Sequence, residues 1–516
     1  MSFTAPLLVA SGVAPADLEI VPSLLPIAGV IAIVVPVALV AALLGTREQL
    51  RVAPTDALRQ AGIESPRLGR LRLTLAAGCA VAGLLSALTP WVIPGAIGGA
   101  TAGGSALLLI TAAALAGPWL VQQVFDRVAA PLAGRGGAST QLALANTRGF
   151  SRRLTSVVVP LALVVTFGIV QNLVAATLGA AGTQQLSDGL RSDVVAASSR
   201  VLTPDVLDRV ADLPGVRTAT PTGTTTAELR SESDDDDPFG ARFSWEPVAV
   251  RLVPATDATD LIDLGVTAGS LTGLTSPGTV ALSSDTAFEH GLSVGDTVPL
   301  RFTGTSGPVQ EEGSPARVVA LYSRGLGLGP VAVGSSTLPA HVPGPSDAML
   351  LIDVEPGATA LVQEGVADLG LQVADRNQVI ASAGEAEATS QAVSLAVLLV
   401  LLAFIALGAL NAVAMTTLGR REEFALLQVI GTSRRQVVRS AAMEAGIVGA
   451  AAIVLGILAV VPAAAGITYG FAHAAFPSVS WGLVAVLVFT AALVPVAGIP
   501  GVATLMTARA RTGRLS

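Results

Sequence analysis

The hydrophobic positions gather into seven long apolar runs, near 24–45, 71–93, 104–124, 156–177, 389–416, 438–466 and 481–507. About 20 mostly apolar residues cross a bilayer, because every backbone amide in the hydrocarbon must be satisfied within its own helix. Each run therefore predicts one membrane-spanning helix. Between the fourth and fifth runs the pattern changes to short stretches of strand and helix periodicity. There, Asp193 to Ser198 predicts a strand, Thr203 caps a helix from Pro204 to Leu213, and Gly215 to Thr220 starts another strand. Gly278 to Ser283 predicts a strand, Asp285 to His290 a short helix, and Gly291 to Val298 a turn into a strand. Strands near Arg317–Tyr322 and Ala348–Val354 and a helix near Ala358–Leu369 complete an α+β module. Ser382 to Gln391 predicts a polar helix running straight into the fifth span, a stiff connection between this module and the membrane.

Composition agrees with a membrane chain: 52% of the 516 residues are hydrophobic and 13% charged, against roughly 25% charged in soluble domains. All 30 basic residues are arginines, since the sequence contains no lysine. The net charge of -7 divides unevenly. Residues 180–387 hold 11 Arg against 28 Asp and Glu, and the remainder 19 Arg against 9 acids. Short loops rich in basic residues stay cytoplasmic. Arg47, Arg51, Arg59, Arg67, Arg70 and Arg72 follow the first span, and Arg127, Arg135, Arg148, Arg152 and Arg153 precede the fourth. Arg420 to Arg439 and the tail with Arg509, Arg511 and Arg514 continue the alternation, while 94–103 and 467–480 carry no Lys or Arg. The expected fold is thus an all-α transmembrane bundle of about seven helices, with one extracytoplasmic α+β domain inserted between the fourth and fifth. The N-terminus is expected outside, and no basic residue precedes Arg47 to form the charged region of a cleavable signal. Cys79 falls inside the second span and reads as a small packing residue. Val35-Pro36-Val37-Ala38 in the first span and Val494-Pro495-Val496-Ala497 in the last hint at an internal repeat.

Enzyme chemistry finds little purchase. His290, His341 and His473 are scattered, without the paired spacing that holds zinc on one helix face. No phosphate-binding loop is present, and Gly325, Gly327 and Gly329 read as a flexible loop. The acid run Ser233 to Asp237 lacks the alternation of a calcium loop and reads as solvated. Glu444, near the start of the sixth span, is a single buried acid and not a relay. No catalytic or metal-ligating residue is predicted.

The segment Arg420 to Arg439 is amphipathic, short and broken at Gly431. Phe424, Leu427 and Ile430 fall on one apolar helical face, Gly431 would end that helix, and Thr432 or Ser433 could cap the next. An interfacial helix held by arginines to anionic lipid and a helix docked on a protein have the same periodicity, so both readings stand on the residues alone.

The order Arg421-Glu422-Glu423-Phe424-Ala-Leu-Leu427, then Gly431-Thr-Ser-Arg434-Arg435-Gln-Val, then Glu444 resembles the signature between the second and third core helices of FtsX-like (MacB-type) permeases. Leu142 to Arg153 resembles the amphipathic helix before that family's first core span, with Arg148, Arg152 and Arg153 at the interface. Gly278 to Val298 is similar to its extracytoplasmic domain, and residues 24–139 resemble the end of the first half of ten-helix members. The chain departs from such members in lacking their first helix, first outer domain and two further helices, and Gln428 stands where an arginine is usual. The resemblance implies five parts: an extracytoplasmic segment at 1–23, three spans with cytoplasmic loops at 24–139, and the amphipathic helix with the first core span at 140–180. The extracytoplasmic domain follows at 181–388, and three core spans with the cytoplasmic segment 420–439 at 389–516.

It also implies a permease of an ABC system in the cell (plasma or inner) membrane. Arg421, Glu422, Glu423, Phe424, Leu427, Gly431, Arg434 and Arg435 would contact a cytoplasmic ATP-binding subunit. ATP and magnesium would sit on that subunit and no cofactor on this chain. The expected cargo is an amphiphile such as a lipid, lipoprotein, peptide or drug, moved by mechanical transmission to the outer domain. The alternative is a regulator that moves no cargo and activates a cell-wall hydrolase or a sensor. Family permeases act with two coupling segments and this chain carries one, so a homodimer or a second permease chain is expected, in contact with membrane lipid and no nucleic acid.

Overall fold

The computed structural model of the chain describes residues 69–93, 95–124, 151–197, 204–232, 243–253, 261–304, 307–308, 313–338, 348–418, 431–472 and 481–512, with isolated positions between 28 and 43 and at 426 and 429. The first predicted span, the run Ser233–Asp237, Thr203, His341, His473 and residues 140–150 lie wholly or largely outside these. Six helices among the described residues are long and apolar enough to cross a membrane. They are α1 (Arg70–Leu88), α2 (Ala96–Val124), α3 (Ser151–Gly189) and, beyond the outer domain, three more described below.

The outer domain begins with β1 (Val194–Ala197), α4 (Pro204–Ala211), β2 (Val216–Glu232), β3 (Phe243–Val253) and β4 (Val266–Gly269). It continues through β5 (Thr279–Ser283), α5 (Ser284–Glu289), β6 (Thr297–Gly304), β7 (Gly307–Pro308), β8 (Ser314–Tyr322) and α6 (Gly325–Leu328). It ends with β9 (Val331–Gly334), β10 (Met349–Val354), α7 (Thr359–Asp368) and β11 (Gln372–Asp375). The chain then returns to the bundle through α8 (Arg376–Leu418), α9 (Arg434–Ala472) and α10 (Trp481–Thr512). The predicted elements appear close to their expected places. The polar helix before the fifth span starts earlier than expected, at Arg376, and is one with the span.

Two lobes share the long strand β2. Its first part, to Thr222, pairs with β10, and β1 and β11 extend this into an antiparallel sheet ordered β11-β1-β10-β2. Val210 of α4 and Val362 and Val366 of α7 cover one face, packed on Val194, Ala196, Leu350 and Ile352. From Gly223 onward β2 pairs instead with β3 and β6. Those pairings, with β3–β9, β9–β5, β5–β8 and β8–β6, close a six-stranded barrel. Closure removes free strand edges. The inward alternation of Leu229, Val250, Leu282, Leu300, Val318 and Val333 fills the barrel. The sequence pattern missed β3, whose polar and apolar positions mix with Pro247 and Glu246.

Within the bundle α3 is the most enclosed helix, with Leu161, Val165 and Leu173 fully buried. Lipid tails are as apolar as leucine, so helices here gain from close approach and from hydrogen bonds between them. Thr166 Oγ1 donates to the Gly456 carbonyl at 3.1 Å, joining α3 to α9. A side chain at Gly470 would meet the Gly99 backbone at 2.9 Å, and one at Gly466 would overlap the Ala87 carbonyl, so α9 lies backbone-close to α1 and α2. Trp91 stacks on Tyr469 with ring centroids 4.8 Å apart, and Trp481 stands exposed, an aromatic grouping at the outer ends of the spans.

Gly466→Ala is expected to lower the thermal midpoint of the detergent-solubilised chain, by an overpacking cost of about 1–3 kcal/mol. Gly446→Ala on the same helix, where a Cβ meets nothing within 4 Å, should leave it unchanged or raise it.

Candidate functional site

The N-terminal end of α9 is built by local capping. Gly431 sits at φ +99°, and Leu426 and Val429 before it are helical and exposed. Ser433 accepts from the Gln436 amide at 3.4 Å, while Gln436 Oε1 accepts from the Ser433 amide at 2.9 Å, a reciprocal capping box. The predicted start of the next helix at Thr432 or Ser433 is thus occupied by Ser433. Val437, Ala441, Glu444 and Ala445 turn inward, so Glu444 is buried among the bundle helices. Arg434, Arg435 and Arg439 are exposed, and Arg434 donates to the Thr504 carbonyl of α10 at 3.2 Å.

Cations in a first helical turn oppose the helix dipole, and Arg435 and Arg439, four residues apart, repel each other. Neither position stabilises the isolated helix. Such a face suits an anionic surface. Arg420, Arg421, Glu422, Glu423, Phe424, Leu427, Gln428, Ile430 and Arg148 lie outside the described residues, and Arg152 and Arg153 fall in the first turn of α3.

At the other end, α3 and α8 outrun the membrane. Their 39 and 43 residues make helices of about 58 and 64 Å at 1.5 Å per residue, against roughly 30 Å of hydrocarbon. Their outer ends are clamped together. Arg376, the first residue of α8, donates through Nε to the Leu190 carbonyl at 2.6 Å and through Nη2 to the Ser187 carbonyl. A guanidinium on these terminal carbonyls also complements the negative end of the α3 dipole. Gln391 of α8 donates to the Ala175 carbonyl of α3 at 3.4 Å. Just beyond, β1 and β11 pair, Val194 opposite Asp375.

The same end of α3 is seated in the barrel lobe. Gln185 Oε1 accepts from the amides of Leu326 and Gly327 at 2.9 and 3.1 Å, capping α6 from the stalk. Leu326 packs on the membrane core and Leu328 in the core between the barrel and the antiparallel sheet, so this one turn wedges between the bundle and the outer domain. Gly327 has no room for a Cβ against the α3 backbone at Gly182 and Leu186. The expected flexible glycine loop is therefore corrected: Gly325–Leu328 is a packed helical turn in which Gly327 permits close approach to α3 and Gly325 to Ser283 of β5.

Asp263 ties the joint. It takes Arg324 at 2.8 Å and Arg191 at 2.6 Å, and accepts from the Gly265 amide at 2.8 Å. Its backbone amide donates to the Gly189 carbonyl at 2.8 Å, and Arg191 N donates to the Leu261 carbonyl at 2.9 Å. The Arg324 hydrogen bond, helped by the Gly265 amide and the charges of Arg324 and Arg191, holds the Asp263 carboxyl below its usual range against the opposing effect of burial. A cleft of about 300 Å³ lies beside it, lined by Ile262, Leu264, Val266 and Leu271. Sequence reasoning found none of Gln185, Arg191, Asp263, Arg324 or Arg376, because their partners are distant in the chain. The alternating glycines at 325–329 were the one available signal of close backbone approach.

Residues 393–510 match the family model described as FtsX-like permease, C-terminal. This segment, from the apolar part of α8 through α10, is similar to an FtsX-like permease C-terminal domain. No curated protein matches the chain. Among solved structures, the periplasmic region of MacB from Actinobacillus actinomycetemcomitans aligns at 11% identity and TM-score 0.27, over 38% of this chain and 92% of that one. A domain of a protein named as a permease from Porphyromonas gingivalis aligns at 16% identity and TM-score 0.24, over 36% of this chain and 88% of that one.

Because the folded-state pKa of Asp263 is depressed, its ion pairs stabilise the joint above the unfolded carboxylate pKa of about 4 and fade as pH falls through the folded value. Asp263→Asn should therefore cost on the order of 1 kcal/mol at pH 7 and progressively less below pH ~4. Thermal midpoints of the two forms across that range check this.

Proposed function

We propose that the chain is the permease subunit of an ABC system, coupling ATP hydrolysis on a separate cytoplasmic subunit to export or extraction of an amphiphile. The carrying observation is physical continuity. An arginine face at the cytoplasmic end of α9 and a clamped stalk at the outer ends of α3 and α8 belong to one packed bundle. The FtsX-like match over residues 393–510 supports the same reading.

In this reading, Arg434, Arg435 and the preceding segment from Arg421 to Leu427 dock on the ATP-binding subunit, with Gly431 as the bend between them. Closure of the ATPase pair displaces the cytoplasmic ends of α8 and α9. A helix bonded along its length moves as a rod, so displacement reaches the outer ends of α3 and α8. There, α6 and the Asp263 cluster carry α3 into the barrel, while β11 carries α8 into the other lobe. Relative movement of the two helices becomes relative movement of the two lobes. A second coupling segment comes from a homodimer mate or a second permease, and the outer domain lies on the extracytoplasmic side.

Co-expression with its ATP-binding subunit is expected to give a complex that Arg434→Glu with Arg435→Glu weakens by roughly tenfold or more, since paired charge reversals act directly on association. An unchanged complex would overturn the docking assignment. Gln185→Leu together with Gly327→Leu should leave the complex intact while uncoupling amphiphile movement from ATP hydrolysis in proteoliposomes. ATP hydrolysis that responds to a protein partner without amphiphile movement in the unaltered complex would favour the regulatory alternative.

A further inference from the structure

The outer domain also meets the bundle away from the stalk and its glycine wedge. Helix α5 follows β5 and turns its outward face to the start of α2. Gly95, the residue before α2, holds φ +96° and donates its amide to the Gly470 carbonyl of α9 at 3.2 Å. A side chain at Gly95 would overlap the Asp285 carboxylate, so that carboxylate lies directly against the start of α2. A helix start carries partial positive charge and favours an anion beside it. Asp285, Phe288 and Glu289 stand three and four residues apart on one face of α5, while Thr286 and Ala287 are buried on the other. Phe288 is 58% exposed, one turn from the carboxylate that touches Gly95.

The level of this contact follows from the length of α2. Its apolar part, Ile97–Leu120, has 24 residues and measures about 36 Å, against roughly 30 Å of hydrocarbon. Gly95 therefore stands at the rim of the hydrocarbon, on the side of the bundle that bears the outer domain. Trp91, Val92 and Trp481 are half exposed or more at the same ends of their helices. Aromatic rings settle in that layer, between headgroups and acyl chains.

We infer that α5 is a foot on which the outer domain stands on the membrane surface: Asp285 seats it on the start of α2, and Phe288 enters the boundary between headgroups and acyl chains beside it. Lipid is the occupant of this face because the face continues a contact that the chain already makes with itself at the rim of the bilayer. Glu289, on the other flank of Asp285, sets the depth. A carboxylate keeps its water, so α5 lies at the boundary and not within the hydrocarbon. The barrel is then held at two points, by the Gly325–Leu328 turn on α3 and by this foot on α2. The inference goes beyond the proposed function, and neither the ATP-binding subunit nor the cargo enters it.

The test uses the full chain with its ATP-binding subunit in phosphatidylcholine vesicles that contain a lipid bearing a nitroxide high on its acyl chain. In a Cys79→Ala background, Phe288→Cys carries an environment-sensitive fluorophore, and Trp481→Cys and Val294→Cys serve as references. Val294 is exposed in the turn whose Gly295 amide bonds the Val318 carbonyl, level with Val280 and so about 10 Å farther along β5 than Ser283. The lipid nitroxide is expected to quench the label at position 288 nearly as strongly as that at 481 and several times more than that at 294. Aqueous iodide should give the reverse order. Asp285→Ala should reduce lipid quenching at 288, while quenching at 481 in the same variant stays unchanged and shows the bundle intact. Three results would overturn the inference: a label at 288 that iodide reaches as freely as at 294, one shielded from both quenchers because protein covers the face, or lipid quenching at 288 indifferent to Asp285→Ala. Loss of ATPase docking with position 288 still in lipid would fault the proposed function and leave the foot standing.

Discussion

The antiparallel pairing of β1 with β11 is the contact on which the rest of the molecule depends. It brings the chain's exit from the membrane and its return to within one strand of each other, and so forces α3 and α8 to lie side by side. Once adjacent, the two helices are locked by Arg376 on the terminal carbonyls of α3 and by Gln391 lower down. Every backbone carbonyl at a helix end must find a donor, and here the donor comes from the neighbouring stalk helix. The outer domain thus sits on a two-helix post that cannot splay at its top without losing those bonds.

The post feeds two lobes unequally. α3 is fastened to the barrel through Gln185, the Gly189–Asp263 backbone bond and the arginine pair on Asp263. α8 enters the smaller lobe through β11. The lobes themselves are joined by one long strand, β2, which changes partners after Thr222. A strand shared by two sheets is stiff along its length and bends where its partners change, so differential motion of the stalk helices has a defined place to act. The packed turn at Gly325–Leu328, with Leu326 on the membrane core and Leu328 in the core between the two lobes, ties the bundle to the outer domain at that point.

Glycines on α9 serve the bundle in a different way. With no hydrophobic gain available between helices in lipid, the bundle relies on backbone proximity at Gly466 and Gly470 and on the Thr166–Gly456 bond. These hold α1 and α2 against α9, the helix whose N-terminal end carries Arg434, Arg435 and Arg439. Any force applied to that end is shared across the bundle.

The sequence by itself predicted the six apolar helices found among the described residues and the mixed domain between the third and fourth of them, because apolar length is a local property set by the cost of burying backbone in hydrocarbon. It also predicted the turn at Gly431 and a cap at Thr432 or Ser433, of which the structure uses Ser433, whose partner lies within three residues. Strands β2 and β10 were legible from alternation, while β3 was not, since Glu246 and Pro247 break its pattern. Only the tertiary structure decided the barrel closure, the conversion of the 325–329 glycines from loop to wedge, and the cluster of Gln185, Arg191, Asp263, Arg324 and Arg376. Those residues lie 61 to 189 positions from their partners. Nothing in a local pattern distinguishes an arginine that will meet an aspartate from one that will meet water, because the energy that selects the pair exists only once the chain has brought the two together.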